Sequence, residues 1–407
     1  MLLCNRLHKS ISWIGGRVNQ GRPTRAKPAF PAPGFDANVP CALLSEFLVT
    51  NPAPGMSRKA RAIADQSITL RSVAERAQVH ASTVSRALDP ARRHLIADAV
   101  VARVETVARE LGYRRNPIAA GLRTRRSKLV GVLVPDIANP VFSPIISGLG
   151  EVLATGGYSA IVADVGSDAK RQMQLIDELI ARRVDGLVLA TVRRNDPALR
   201  HCRDAKMPVV LVNRRDESDR VPWVVSDDRR GIGLAVSHLC DLGHRRIGHL
   251  AGPHHLSTGA KRREGFVEAM RAHGLSPAVG DIAEAASYDR DAGEATGNAL
   301  LDAAPDLTAI VAANDLLALG LLLALKARHL SCPAHVSLTG HNDMPLVDMV
   351  EPPLTTVRIG PRAMGLEAGA LLLALLRDEP GAEERRVLME PELVVRASTA
   401  APIRRAP

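Results

Sequence analysis

The sequence predicts an α/β chain: a short helix-turn-helix head, a hinge helix, and a larger body of two α/β subdomains. Three observations carry this. Apolar residues recur with a helical period between Thr69 and Leu111, and after Lys128 short apolar runs alternate with longer helical stretches. The excess positive charge is confined to the N-terminal third of the chain. At 407 residues the chain exceeds one average domain.

Residues 1–56 hold Pro and Gly clusters, such as Pro28 to Gly34, with mixed polarity and little periodicity. They are expected to be a disordered extension, with Met56 as an alternative start. The head is expected over 67–124. Leu70, Val73, Ala74 and Ala77 form one apolar stripe, and Gln78-Val79-His80 break it before a second helix, Ala81–Leu88. Pro90 prevents that helix from continuing. A third helix is expected from about Ala97 to Leu111, stopped by Gly112 in the left-handed conformation. Asn116-Pro117 then offers an N-cap and a first-turn proline for a hinge helix over 116–122. A helix this short is unstable alone and needs a partner to form.

In the body, eight apolar runs read as strands: Leu129–Val134, Ala160–Ala163, Gly186–Ala190, Val209–Val212, Ile247–Ala251, Ala309–Ala312, Val336–Thr339 and Thr355–Ile359. With helices between them they form βαβ units of parallel sheet. Eight strands are too many for one small sheet, so two adjoining subdomains are expected within 129–400.

Residues 57–128 carry 16 Lys/Arg against 6 Asp/Glu, whereas 129–407 carry 31 against 35. A basic head on a near-neutral body suits a polyanion partner, although a solvated basic tail fits the charge equally. The five cysteines are scattered without a C-x-x-C pair, so neither a disulfide framework nor a zinc ribbon is indicated. No apolar run reaches 18 residues and the N-terminus lacks a signal-peptide core, so the expected location is the cytoplasm, with no membrane partner. Gly231-Ile232-Gly233 lacks the third glycine of a dinucleotide fingerprint, and no phosphate-binding P-loop occurs. The 13 histidines show no metal-ligand spacing, and His254-His255 are adjacent. Asp227-Asp228 resemble a carboxylate pair but read better as a solvated loop. No enzyme, cofactor or metal is implied.

Two helices joined by a tight break place the start of the second against base edges in the major groove. Its exposed residues are Ala81, Ser82, Thr83, Ser85 and Arg86; Arg86 suits a bidentate pair to guanine. An ordinary three-helix bundle with a basic surface is the alternative.

Here the residues carry a resemblance. Thr69 to Ala77, Thr83-Val84-Ser85-Arg86-Ala87-Leu88, Glu110-Leu111-Gly112-Tyr113, Asn116-Pro117 and Val132 to Phe142 resemble the LacI/GalR family of bacterial transcriptional repressors, over about 69–400. The resemblance implies double-stranded operator DNA and a homodimer as partners. It adds Asn116, Ala119 and Leu122 of the hinge helix to the DNA-binding set, Leu122 as a wedge between base steps. Two departures stand out. Gln78 and His80 occupy a turn where many members have glycine and serine, so Gln78 must bear a strain of about 1 kcal/mol and His80 is a poorer cap.

The resemblance also implies a periplasmic-binding-protein-like body whose chain crosses between subdomains three times, expected near Arg245, Arg358–Pro361 and Leu388. The first subdomain would then hold about 129–246 and 361–388, the second about 247–357 and 389–400. By resemblance Arg262, Asp315 in Asn314-Asp315, Phe142 and Tyr288 bind the effector. The alternatives are a surface helix position for Arg262 and a helix cap for Asp315. Asn342-Asp343 and Trp223 are weaker candidates. Arginine and aspartate across a cleft suit a sugar or sugar acid as effector, with a purine second. A head fused to a small-molecule enzyme and a regulator with a vestigial cleft are the competing readings.

Overall fold

The computed structural model describes residues 68–89, 92–113, 126–218 and 220–403. The expected extension over 1–56 and the hinge helix over 116–122, with Asn116, Ala119 and Leu122, lie outside the described residues. The chain divides after Gly112 into a head and a body.

The head contains α1 (Leu70–Ala77), α2 (Ala81–Ala87) and α3 (Asp98–Glu110), with one 3-10 turn at Arg93–Leu95. Its core is built from valine and alanine alone: Val73, Ala74, Ala77, Val84, Ala87, Val101, Val104 and Ala108 are buried. Such small side chains let three short helices approach closely. Thr69 starts α1 with a reciprocal cap, its hydroxyl accepting from the Ser72 N–H while Ser72 accepts from the Thr69 N–H. Gln78 ends it at φ 53°, the left-handed geometry expected of that turn. Gly112, at φ 66°, terminates α3.

The body begins with β1 (Leu129–Val134), α4 (Phe142–Thr155), β2 (Ser159–Asp164), α5 (Ala169–Ala181), β3 (Gly186–Leu189), α6 (Pro197–Asp204), β4 (Val209–Val212) and β5 (Trp223–Ser226). It continues with α7 (Asp228–Asp241), β6 (Ile247–Ala251), α8 (Ser257–Ala272), β7 (Ile282–Glu284), α9 (Arg290–Ala303), β8 (Ala309–Ala312), α10 (Asp315–Ala327), β9 (Ser337–Asn342) and β10 (Thr355–Arg358). Last come α11 (Pro361–Leu376), β11 (Arg386–Met389) and β12 (Glu392–Val394). Two six-stranded sheets result, ordered β11-β5-β4-β3-β1-β2 and β12-β10-β9-β8-β6-β7. Every pairing is parallel except β10 with β12. All eight expected strands are present. The four additional ones are short, and β7, β11 and β12 are edge strands with half-exposed residues, so no continuous apolar run announces them.

The chain passes between the sheets after β5, after β10 and after β11. The crossing expected near Arg245 is therefore corrected to Ser226–Asp228. Ile232, Ala235, Val236 and Leu239 of α7 bury against Ile247, Phe266, Val311 and Val357 of the second half. Residues 228–246 thus belong with the second sheet. The first and third crossings run side by side, joined where the Asp227 N–H donates to the Met389 carbonyl.

In the first half, α11 returns to lie on α4 at backbone contact. A Cβ at Gly148 would sit 2.3 Å from the Arg362 carbonyl oxygen, and one at Gly365 2.1 Å from that of Ile145. Only glycine permits this approach. Among the described residues no helix is long and apolar enough to cross a membrane.

Candidate DNA-reading face and effector cleft

In the head, Val84 and Ala87 anchor α2 to the core, which turns the opposite side outward. Ser82 and Arg86 are exposed and four residues apart, hence on one face of the helix. Ala81, Thr83 and Ser85 flank them, partly exposed. Arg86 makes no ion pair among the described residues, so its guanidinium is available to a partner. His80 caps the helix: its Nδ1 accepts from the Ser82 N–H at 3.2 Å and lies 2.8 Å from the Ser82 hydroxyl. The expected weakness of this cap is thus offset by a ring nitrogen in the role of a serine oxygen, which also fixes the hydroxyl of Ser82.

In the body, a cavity between the two halves is lined by residues from the C-terminal ends of several strands. The first half contributes Asn139, Val141 and Phe142 after β1 and Asn213 and Arg214 after β4. From the second come Thr258 and Arg262 on α8, Tyr288 after β7, Asn314 after β8, and Asn342 at the end of β9. Strand ends in open α/β sheets are where ligands bind, because loops and side chains converge there. Two of these asparagines hold left-handed backbone, Asn213 at φ 64° and Asn342 at φ 120°. Strain of this kind is retained where the surroundings fix a side chain. Asn213 is shared with a neighbouring hollow of about 320 Å³ that also touches Arg215 and Lys261.

Arg262 is buried, and its Nε donates to the Asp228 carboxylate at 2.7 Å while Nη1 donates to the Ala313 carbonyl at 2.6 Å. Burial opposes ionisation of Asp228, yet Arg262 and His341 hold its carboxyl below the usual range. The Arg262 guanidinium lies 5.7 Å from the centre of the Tyr288 ring. A Cβ at Gly252 would sit 2.2 Å from the Tyr288 hydroxyl oxygen, so the ring is seated against bare backbone. His341 is fully buried 3.5 Å from Asp228, and burial with the nearby Arg262 depresses its pKa to about 4, keeping it neutral.

The structure brings Phe142, Arg262 and Tyr288 to one cavity. It does not bring Asp315 there. Asp315 is fully buried beneath the second sheet, one oxygen accepting from the Thr356 hydroxyl and the other from the Met344 N–H. Burial pushes its pKa up to about 6. The cleft residue of that pair is Asn314, whose Oδ1 also caps α10 by accepting from the Leu317 N–H. Asp343 is likewise occupied, bridging Arg358 and Arg396, while its neighbour Asn342 faces the cavity. Trp223 is buried in the first half, with Arg215 stacked over its ring at 4.9 Å. The expected solvated loop at Asp227-Asp228 is corrected too: Asp227 caps α7, and Asp228 is the buried partner of Arg262.

Sequence reasoning missed Asn213, Arg214 and Thr258. A signal existed for the first two: Asn213 and Arg214 directly follow the fully apolar Val209–Val212 run and must emerge at the mouth of a buried parallel strand.

Four amides, a hydroxyl, two guanidinium groups and two aromatic faces form a set suited to a compact, oxygen-rich small molecule. Residues 69–116 match the family described as bacterial regulatory proteins, lacI family, and residues 236–399 match the periplasmic binding protein-like domain. The HTH-type transcriptional repressor CytR of Escherichia coli (strain K12) is 32% identical over 339 residues, 83% of this chain and 98% of its own length. Two solved structures are similar. The transcriptional regulator CelR–cellobiose complex aligns at 31% identity with a TM-score of 0.64, covering 81% of this chain and 99% of its own. The lac repressor dimer bound to operator and the anti-inducer ONPF aligns at 26% identity with a TM-score of 0.73, covering 83% and 100%. With a head and a body that match in order and almost the full length of a repressor covered, this chain belongs to the lacI family of bacterial regulatory proteins, which are DNA-binding transcriptional regulators.

Proposed function

We propose that the chain is a cytoplasmic, homodimeric repressor whose hold on operator DNA is set by a sugar-like effector in the interdomain cleft. Residues Ala81, Ser82, Thr83, Ser85 and Arg86 read base edges. Arg262, Phe142, Tyr288, Asn314 and Asn342 bind the effector, the last two taking the place expected for Asp315. The observation that carries the reading is that both halves contribute to one cavity. A ligand touching Phe142 and Arg214 on one side and Arg262 and Asn342 on the other favours one angle between the halves, so occupancy biases a two-state body. CelR with cellobiose in its solved structure and the lac repressor dimer on operator support a sugar and a dimer.

Operator binding by full-length protein, titrated by fluorescence anisotropy with and without a stabilising sugar, tests this. Arg262→Ala is expected to keep operator affinity and lose the response to the sugar. A variant that responds as the wild type does would remove Arg262, and the cavity with it, from the sensor.

A further inference from the structure

Two guanidinium groups line the cleft, and only one is neutralised. Arg262 has its counter-charge in Asp228. Arg214 is 8% exposed, makes no ion pair among the described residues, and leaves its Nε without a hydrogen-bond partner. No residue lining the cavity is acidic. Nearby cations outside the cavity are matched differently: Arg194 pairs with Glu217 and Lys261 with Glu264, whereas Arg193 donates to the Ser167 carbonyl and adds to the surplus. The positive field reaches His255, whose pKa is lowered by burial and then by Arg193 and Arg214. Burial pulls Arg214 itself down to about 10, with the cation of Arg262 acting in the same direction.

A buried cation with no partner is among the most costly arrangements in a folded protein. A neutral polyol would leave it so. The forked guanidinium, in contrast, matches a carboxylate or phosphate in two parallel hydrogen bonds. From this geometry we infer that the effector is an anion, an acidic or phosphorylated sugar-sized molecule, and that its acid group pairs with Arg214. The inference rests on the cleft being the effector site.

Thermal unfolding of the full chain with matched probes tests it: galactose against galacturonate, and glucose against gluconate and glucose 6-phosphate. At least one acid is expected to raise Tm well beyond its neutral counterpart, and the carboxylate and phosphate arms separate the two sources of the charge. Arg214→Met is expected to raise the Tm of ligand-free protein, because an unpaired buried charge is removed, and to weaken the acid roughly tenfold or more. Arg214→Lys keeps the charge without the fork and should fall between. Neutral sugars that stabilise as well as acids, with Arg214→Met lowering the ligand-free Tm, would overturn the inference while leaving the cleft as the sensor. No shift from any probe at millimolar concentration would overturn the cleft reading and this inference together.

Discussion

Replacing Asp228 with alanine should strip Arg262 of its one ion-pair partner among the described residues. The two side chains are 9% and 4% exposed and meet at 2.7 Å, so the charge left behind on Arg262 stays largely desolvated. Removing one partner from a buried pair typically costs about 3–5 kcal/mol, because the other charge stays buried. Arg262→Met keeps an apolar stem but leaves Asp228 with only the neutral His341 at 3.5 Å, so its cost should be of the same order. The double variant buries neither charge. Its cost should therefore fall about 2–3 kcal/mol short of the sum of the two single changes. The assay is urea unfolding of all four proteins followed by far-UV circular dichroism, with the body transition fitted by itself. Single changes below about 1 kcal/mol that simply add would refute the claim that this pair is a desolvated, mutually dependent unit.

Arg86→Ala should weaken a specific operator by about 1–3 kcal/mol and relax base preference, read by selection from a randomised duplex pool; an unchanged consensus would remove Arg86 from the reading set. Asp315→Asn should change the pH profile of stability. Asp315 has its pKa raised from 3.8 to about 6, so its contribution is full below the unfolded value and is lost as pH rises through 6. Between pH 4 and 7.5 the wild type should therefore lose about 2 kcal/mol relative to the non-titrating variant, and parallel pH profiles would contradict the burial argument. Gly252→Ala should drive the Tyr288 ring from its seat, since the new Cβ would meet the hydroxyl at 2.2 Å. A cost of about 1–3 kcal/mol together with loss of the ligand-induced Tm increment is expected; retention of that increment would place Tyr288 outside the site.

The head was legible because short-range rules decide it. A 3.6-residue stripe and a left-handed Gln78 that breaks it are written within a few residues of one another. Most of the eight expected strands are buried and were equally plain, since parallel sheet needs unbroken apolar runs; β2, an edge strand with no fully buried residue, was still announced by Ala160–Ala163. The edges were not: β7, β11 and β12 half-expose their residues, and pairing partners far along the chain stabilise them. The first crossing was missed for a related reason. The apolar stripe of α7 says that it packs on a sheet, but not which one.

At the site, Phe142, Arg262 and Tyr288 reached one cavity, while Asp315 stood one residue away from the side chain that does. Asn314 is the cap and Asp315 the first helical residue, and that single step separates the cleft from the interior. Arg214 was overlooked because charged residues just past the end of a strand, here Arg214-Arg215, resemble ordinary surface. Its meaning comes from burial without a partner, which only three dimensions reveal.

A repressor controlled by an effector requires coupling between cleft and head. Operator affinity of the full chain should be measured with and without the molecule that most raises its Tm, for the wild type and for Arg262→Ala in parallel. A shift of about 1–3 kcal/mol in the wild type and none in the variant is expected. Equal operator affinity in both conditions for the wild type, despite saturating ligand, would show that the cleft binds without regulating.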